Sequence, residues 1–118
     1  MNKLLAAGIL AILLAGHVVA QQQSTTSQTI RKNIPNTFTP NRDGVNDTWE
    51  IKGLSEFTTC KVQVFNQWGS LVFHSEGYAK PWDGRYNGTD LPTASYYYVI
   101  QFNNSKDKPI SGTVAIVK

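Results

Sequence analysis

The stretch Tyr96-Tyr97-Tyr98-Val99-Ile100-Gln101-Phe102-Asn103 decides the fold class. Side chains alternate along an extended strand, so Tyr96, Tyr98, Ile100 and Phe102 share one face. Tyr97, Val99, Gln101 and Asn103 share the other. Aromatic and β-branched residues suit a pleated, half-buried surface, and one apolar face against one mixed face is the mark of a strand buried on one side. Tyr97 points opposite to its neighbours. It is the aromatic expected at the surface, where exposed aromatics favour interfaces.

The same two-residue period recurs on both sides of this stretch. Cys60, Val62 and Val64 alternate with Lys61 and Gln63, Leu71 to His74 is a short β-rich run, and Val114 and Ile116 share a face in Thr113 to Lys118. Weaker strands are expected at Asn36 to Thr39, Thr48 to Lys52 and Gly84 to Asn87. Asp43-Gly44, Gln67-Trp68-Gly69-Ser70, Asp83-Gly84 and Asn87-Gly88 are turn signals. The five prolines lie between the runs, where a missing N–H does no harm. No segment shows apolar recurrence at helical spacing. About seven short strands without helices imply an all-β, antiparallel β-sandwich. Its expected core is Phe38, Trp49, Ile51, Val62, Val64, Leu71, Phe73, Tyr98, Ile100, Val114 and Ile116.

At 118 residues, the chain fits one domain. Residues 1–20 have the layout of a cleavable secretory signal: Lys3, an apolar run from Leu4 to Ala15, then Val18-Val19-Ala20 before Gln21. The run is shorter than the roughly 17–25 residues that a membrane span needs, so after cleavage the protein is not expected to span a membrane. Residues 21–32 begin Gln/Ser/Thr-rich and read as a flexible polar lead-in, and residues 33–118 are the folded domain. The formal net charge is +3, with basic residues scattered rather than grouped. That argues against nucleic-acid binding. Cys60 is the one cysteine, which excludes an intrachain disulfide and a Cys-rich zinc site. In an exported protein it is expected to be a buried small hydrophobe.

Catalysis finds no footing. Outside the leader His74 is the one histidine, and it lacks a spaced acid or nucleophile partner, so no catalytic residue is assigned. The stretch Thr39 to Glu50 carries a different chemistry. Twelve-residue calcium loops place oxygen ligands at positions 1, 3, 5, 7, 9 and 12 with glycine at 6. Counting from Thr39, those places hold Thr39, Asn41, Asp43, the Val45 carbonyl, Asp47 and Glu50, with Gly44 at 6. The competing reading is an Asx-rich turn whose side chains bond its own backbone. Trp49, Trp68, Trp82 and Tyr96 to Tyr98 offer a sugar-stacking platform or, as aromatics in small β domains more often do, fill the core.

Taken in order, "IPNTFTPNRDGVNDTWEI", "CKVQVFNQWGSLVF", "PWDGRYNGTDLP", "SYYYVI" and "SGTVAIVK" resemble the gliding-motility-associated C-terminal domain family, the type B sorting domain of proteins exported by the type IX secretion system. The resemblance covers Asn33 to Lys118. It implies an Ig-like β-sandwich that crosses the inner membrane by the general secretory route in a Gram-negative bacterium. Outer-membrane machinery, with a PorP/SprF-like barrel as the expected receptor, then carries it to the cell surface or medium. Asn41, Asp43, Gly44, Asn46 and Asp47 match the family's "TPNGDGVND" motif, with Arg42 in place of a glycine. Phe65, Asn66, Trp68 and Gly69 match its "FNRWG" turn, with Gln67 for arginine. Trp82, Asp83, Gly84, Asn87 and Gly88 match "WDG…NG". Ser95 replaces a common glycine, and Lys118 is the basic last residue often seen. These motif residues, with Tyr97, are the expected partner-binding or turn positions. Only a short polar segment separates the leader from the domain, so a stand-alone sorting-type domain is expected. The alternative is a calcium-dependent adhesive or glycan-binding module.

Overall fold

The computed structural model describes residues 27–118. The expected leader and the first part of the lead-in lie outside the described residues. The chain forms helix α1 (Ser27–Asn33), strands β1 (Thr37–Phe38), β2 (Lys61–Phe65), β3 (Leu71–Glu76), β4 (Arg85–Tyr86), β5 (Thr89–Asp90), β6 (Ala94–Gln101) and β7 (Ile110–Ile116), and a 3-10 turn at Leu54–Glu56. One five-stranded sheet has the order β1-β7-β6-β2-β3, and β4 and β5 pair as a separate hairpin. The fold is all-β and β-sandwich-like, with seven strands among the described residues, where β5 was not expected and Thr48 to Lys52 forms no strand. The sheet is not wholly antiparallel, however, because β1 pairs parallel to β7.

β6 behaves as its sequence requires. Tyr96, Tyr98 and Ile100 are buried and Tyr97 is exposed. Val62 and Val64 lie opposite Ile100 and Tyr98 and share that inner face. The layer laid over it is mostly irregular. The strand expected at Thr48 to Lys52 reduces to a single antiparallel bridge between Trp49 and Trp82. Trp49, Ile51, Leu54, Tyr78 and Trp82 pack down from this layer into one core with Phe38, Val114 and Ile116. Full burial of such side chains stabilises by roughly 1.5–3 kcal/mol each, so the two tryptophans anchor segments that have no ladder of their own. Cys60 is buried, as expected, and burial pushes its thiol pKa up.

Two further expectations are corrected. Leu71 is not core: it is exposed, and Val72 is buried in its stead. The pairing register shifts between Val64 and Phe65, with Val64 opposite Phe73 and Phe65 opposite Leu71. Val72 is the extra residue of a β-bulge, which breaks the period-two count. Phe73 packs partly buried against the core. The second correction is α1, where an irregular lead-in and no helix were expected. A seven-residue helix is marginal alone. It is held by the fully buried Ile30, by the Ser27 amide donating to Asp107 Oδ1 at 3.2 Å, and by Asn33 Nδ2 donating to the Lys52 carbonyl at 3.0 Å. One apolar residue per turn leaves no periodicity to read.

Gly112 lies opposite Tyr98 in the β6–β7 ladder. A Cβ there would sit 2.6 Å from the Tyr98 hydroxyl and 2.8 Å from its ring carbon. Gly112→Ala is therefore expected to lower stability by about 1–3 kcal/mol, measured by thermal melting. Adding Tyr98→Phe should recover part of that loss, because it removes the nearest atom of the clash.

Candidate functional site

Strand directions gather the motifs at one end of the sheet. The end where β1 and β7 finish is also where β6 begins, β2 finishes and β3 begins, since Phe38 pairs with Ile116, Ala94 with Ile116, Phe65 with Tyr97 and Phe65 with Leu71. Four connections therefore meet there: the loop from Thr39 to Thr48, the turn from Asn66 to Ser70, the segment Leu91 to Thr93, and the terminal Val117-Lys118.

The first loop organises itself around Asp47. Its Oδ1 accepts the amides of Asn41 (3.2 Å) and Arg42 (2.9 Å), and its Oδ2 accepts the amide of Gly44 (2.7 Å). Asn41 Oδ1 accepts the Asp43 amide, and Asp43 Oδ1 accepts the Val45 amide. The Thr39 hydroxyl donates to the Val45 carbonyl, and the Thr48 hydroxyl donates to Glu50 Oε2. Thr39, Asn41, Asp43, Val45, Asp47 and Glu50, the oxygens that spacing offers to a cation, are thus engaged largely within the loop, in the manner of Asx turns. Among the described residues no group of three or more His, Cys, Asp and Glu side chains is placed to hold a metal ion.

Arg42 has φ 64°, in the left-handed region where an ordinary side chain costs roughly 1–2 kcal/mol. That conformation accounts for a glycine at the corresponding place of the motif. Here the side chain is used: Arg42 Nη2 lies 3.2 Å from Asp90 Oδ1. Arg85 Nε lies 3.1 Å from the same oxygen, in an ion-pair contact without hydrogen-bond alignment. Exposed pairs contribute little stability. Their effect is positional, tying the first loop to the β4–β5 hairpin.

The "WDG" stretch supports that loop from beneath. Trp82 is buried, its indole donating to the Arg85 carbonyl. Asp83 Oδ1 accepts the Arg85 amide, and the Gly84 carbonyl accepts the Leu91 amide. A Cβ on Gly84 would lie 2.9 Å from Pro40 Cγ, so glycine lets the two motif segments touch. In the β2–β3 turn, Asn66 Oδ1 accepts the amides of both Trp68 and Ser70 at 2.9 Å. That side chain holds the turn, while Gln67 and Gly69 are exposed.

The expected site residues therefore divide in two. Asn66, Trp82, Asp83 and Gly84 build turns or core, and Phe65 is half-buried. Trp68, 80% exposed, Tyr97 and Lys118 face solvent. Of the suggested sugar platform, Trp49, Trp82, Tyr96 and Tyr98 are buried, leaving Trp68 and Tyr97 outside. Val45, Leu71, Tyr86 and Val117 join them as exposed large apolar side chains. Val45, Leu71 and Val117 flank the same end, and Tyr86 lies beside Leu71 across a groove. Val117 was legible from the alternation that buries Ile116. Leu71 was hidden by the bulge.

The sequence model of a family described as the CHU_C type IX secretion signal domain matches residues 32–116. No curated protein sequence matches the chain. Among solved structures, the chain is similar to part of PorZ, described as an essential bacterial surface component of the type-IX secretion system of Porphyromonas gingivalis. The TM-score is 0.56 and the identity 19%; the match covers 76% of this chain and 12% of that one. The likeness is one of fold.

Asp47→Ala removes an acceptor from three amides. It should destabilise the domain by about 1–3 kcal/mol, with equal loss of melting temperature in calcium and in chelator if those amides are what the carboxylate serves.

Proposed function

The chain belongs to the CHU_C type IX secretion signal domain family, and from that premise we propose that it is a sorting domain read by the outer-membrane secretion machinery through the end of the sheet where the motifs meet. The family is one of secretion signals, not of enzymes. In this reading residues 1–20 direct export across the inner membrane of a Gram-negative bacterium. The domain folds beyond that membrane, and a PorP/SprF-like barrel receives it for delivery to the cell surface or medium.

The observation that carries the reading is the convergence of the loop after β1, the β2–β3 turn and the end of β7 with Trp68, Tyr97, Val45, Leu71 and Val117 exposed around them. Exposed apolar side chains grouped at one end favour a macromolecular contact. Aromatic residues set among well-braced loops make good anchors, because little further ordering is needed on binding. Asp47 and Asn66 supply the bracing.

The test is affinity capture by tagged protein from its native outer membrane. The expected result is recovery of a barrel protein of the secretion machinery. Trp68→Ala with Tyr97→Ala should weaken capture at least about tenfold with little change in melting temperature. Equal capture by the double variant would overturn the assignment of this end. Point variants are required: removing Gly112 to Lys118 deletes most of a strand that lies between β1 and β6.

A further inference from the structure

β3 is the edge strand at one side of the five-stranded sheet. At the opposite edge of the sheet, β1 has only two residues. Along β3, the Gly77 amide donates to the Cys60 carbonyl, which sets the parity of the ladder. Phe73, Ser75 and Gly77 turn their backbone groups toward β2, while His74 and Glu76 turn theirs away from the sheet. Among the described residues, no backbone hydrogen bond reaches those outward groups. The hairpin runs beside the first half of the strand, where Arg85 to Asn87 and Leu71 to His74 line one groove. His74 and Glu76 are exposed. An edge in this state is a template for another strand.

We propose that β3 pairs antiparallel with β3 of a second copy of this chain, about a two-fold axis through Ser75. The side chains at this edge choose the register. Outward backbone groups must face one another in narrow pairs, so the axis falls on His74, Ser75 or Glu76. An axis on His74 opposes two histidines and sets Glu76 against Val72. An axis on Glu76 opposes two carboxylates, which is unfavourable. An axis on Ser75 sets His74 against the partner subunit's Glu76, and symmetry repeats the pair. An imidazole N–H donates to that carboxylate. His74 and Glu76 lie on the outer face of the sheet, opposite Gln63 and Lys61. Each narrow pair exchanges two backbone hydrogen bonds, and the two sheets become one. The contact is isologous and closes as a dimer, leaving no further β3 edge.

Sedimentation equilibrium of the purified protein, from about 1 µM to 1 mM to cover a small interface, tests this. The weight-average mass should rise with concentration toward twice the monomer value. His74→Pro removes an outward N–H without touching the β2 ladder; folded by circular dichroism, it should raise the dissociation constant at least about tenfold. Glu76→Lys should do the same, and His74→Glu with Glu76→Lys should restore dimerisation by reversing the pair. A protein monomeric at the highest concentration overturns the proposal. So does a dimer insensitive to Glu76→Lys, or a double variant that fails to recover what Glu76→Lys loses. The receptor capture described above measures a different surface, so either result stands without the other.

Discussion

The hydroxyl of Tyr78 ties together the segments of the irregular layer that lies over the sheet. It donates to the Trp49 carbonyl at 2.6 Å and accepts the Trp82 amide at 3.0 Å, next to the backbone bond from the Trp49 amide to the Trp82 carbonyl. Burial pushes its pKa well above that of an ordinary phenol. The layer over the sheet has almost no strand pairing of its own. Its backbone groups need partners once water is excluded, and an unsatisfied buried one costs about 1–3 kcal/mol. Large aromatics solve both problems at once, since each brings apolar area and a polar tip. The tips of Trp49 and Tyr96 likewise donate to the carbonyls of Pro35 and Pro92. Prolines cap the segments, and the aromatics collect the carbonyls.

This division of labour governs what could be read from residues alone. The strands of the sheet obey a two-residue period, and β2, β6 and β7 lie where their patterns put them. The upper layer obeys no period. Trp49 and Ile51 alternate as a strand would, yet only one bridge forms, and the partner segment passes through Gly84, at φ 76°, into the β4–β5 hairpin. The bulge at Val72 and the single buried Ile30 of α1 escape pattern reading for the same reason: each depends on one residue meeting its surroundings in space. The order of the five motifs was a stronger guide to family than any one of them, as the match over residues 32–116 bears out.

The candidate surface was partly legible. Tyr97 could be placed outside by parity alone, and Trp68 stood in a recognisable turn. What the sequence concealed was the distinction between builders and presenters. Trp82 and Trp68 look equivalent in a string of letters, yet one is 1% exposed and the other 80%. Asp43 and Asp47 have the spacing of cation ligands, and Asp43 Oδ1 and both Asp47 oxygens receive the loop's amides. A motif rich in Asn, Asp and Gly can be as stringent for shape as for chemistry.

The parallel pairing of β1 with β7 has a consequence for the order of assembly. Among the described residues β1 meets no strand other than β7, and most of the domain lies between them. Closing so large a loop is entropically slow and gains nothing until its last member arrives. A chain made amino end first therefore leaves β1 unpaired until β7 has emerged. The topology itself delays completion of the sheet to its last strand.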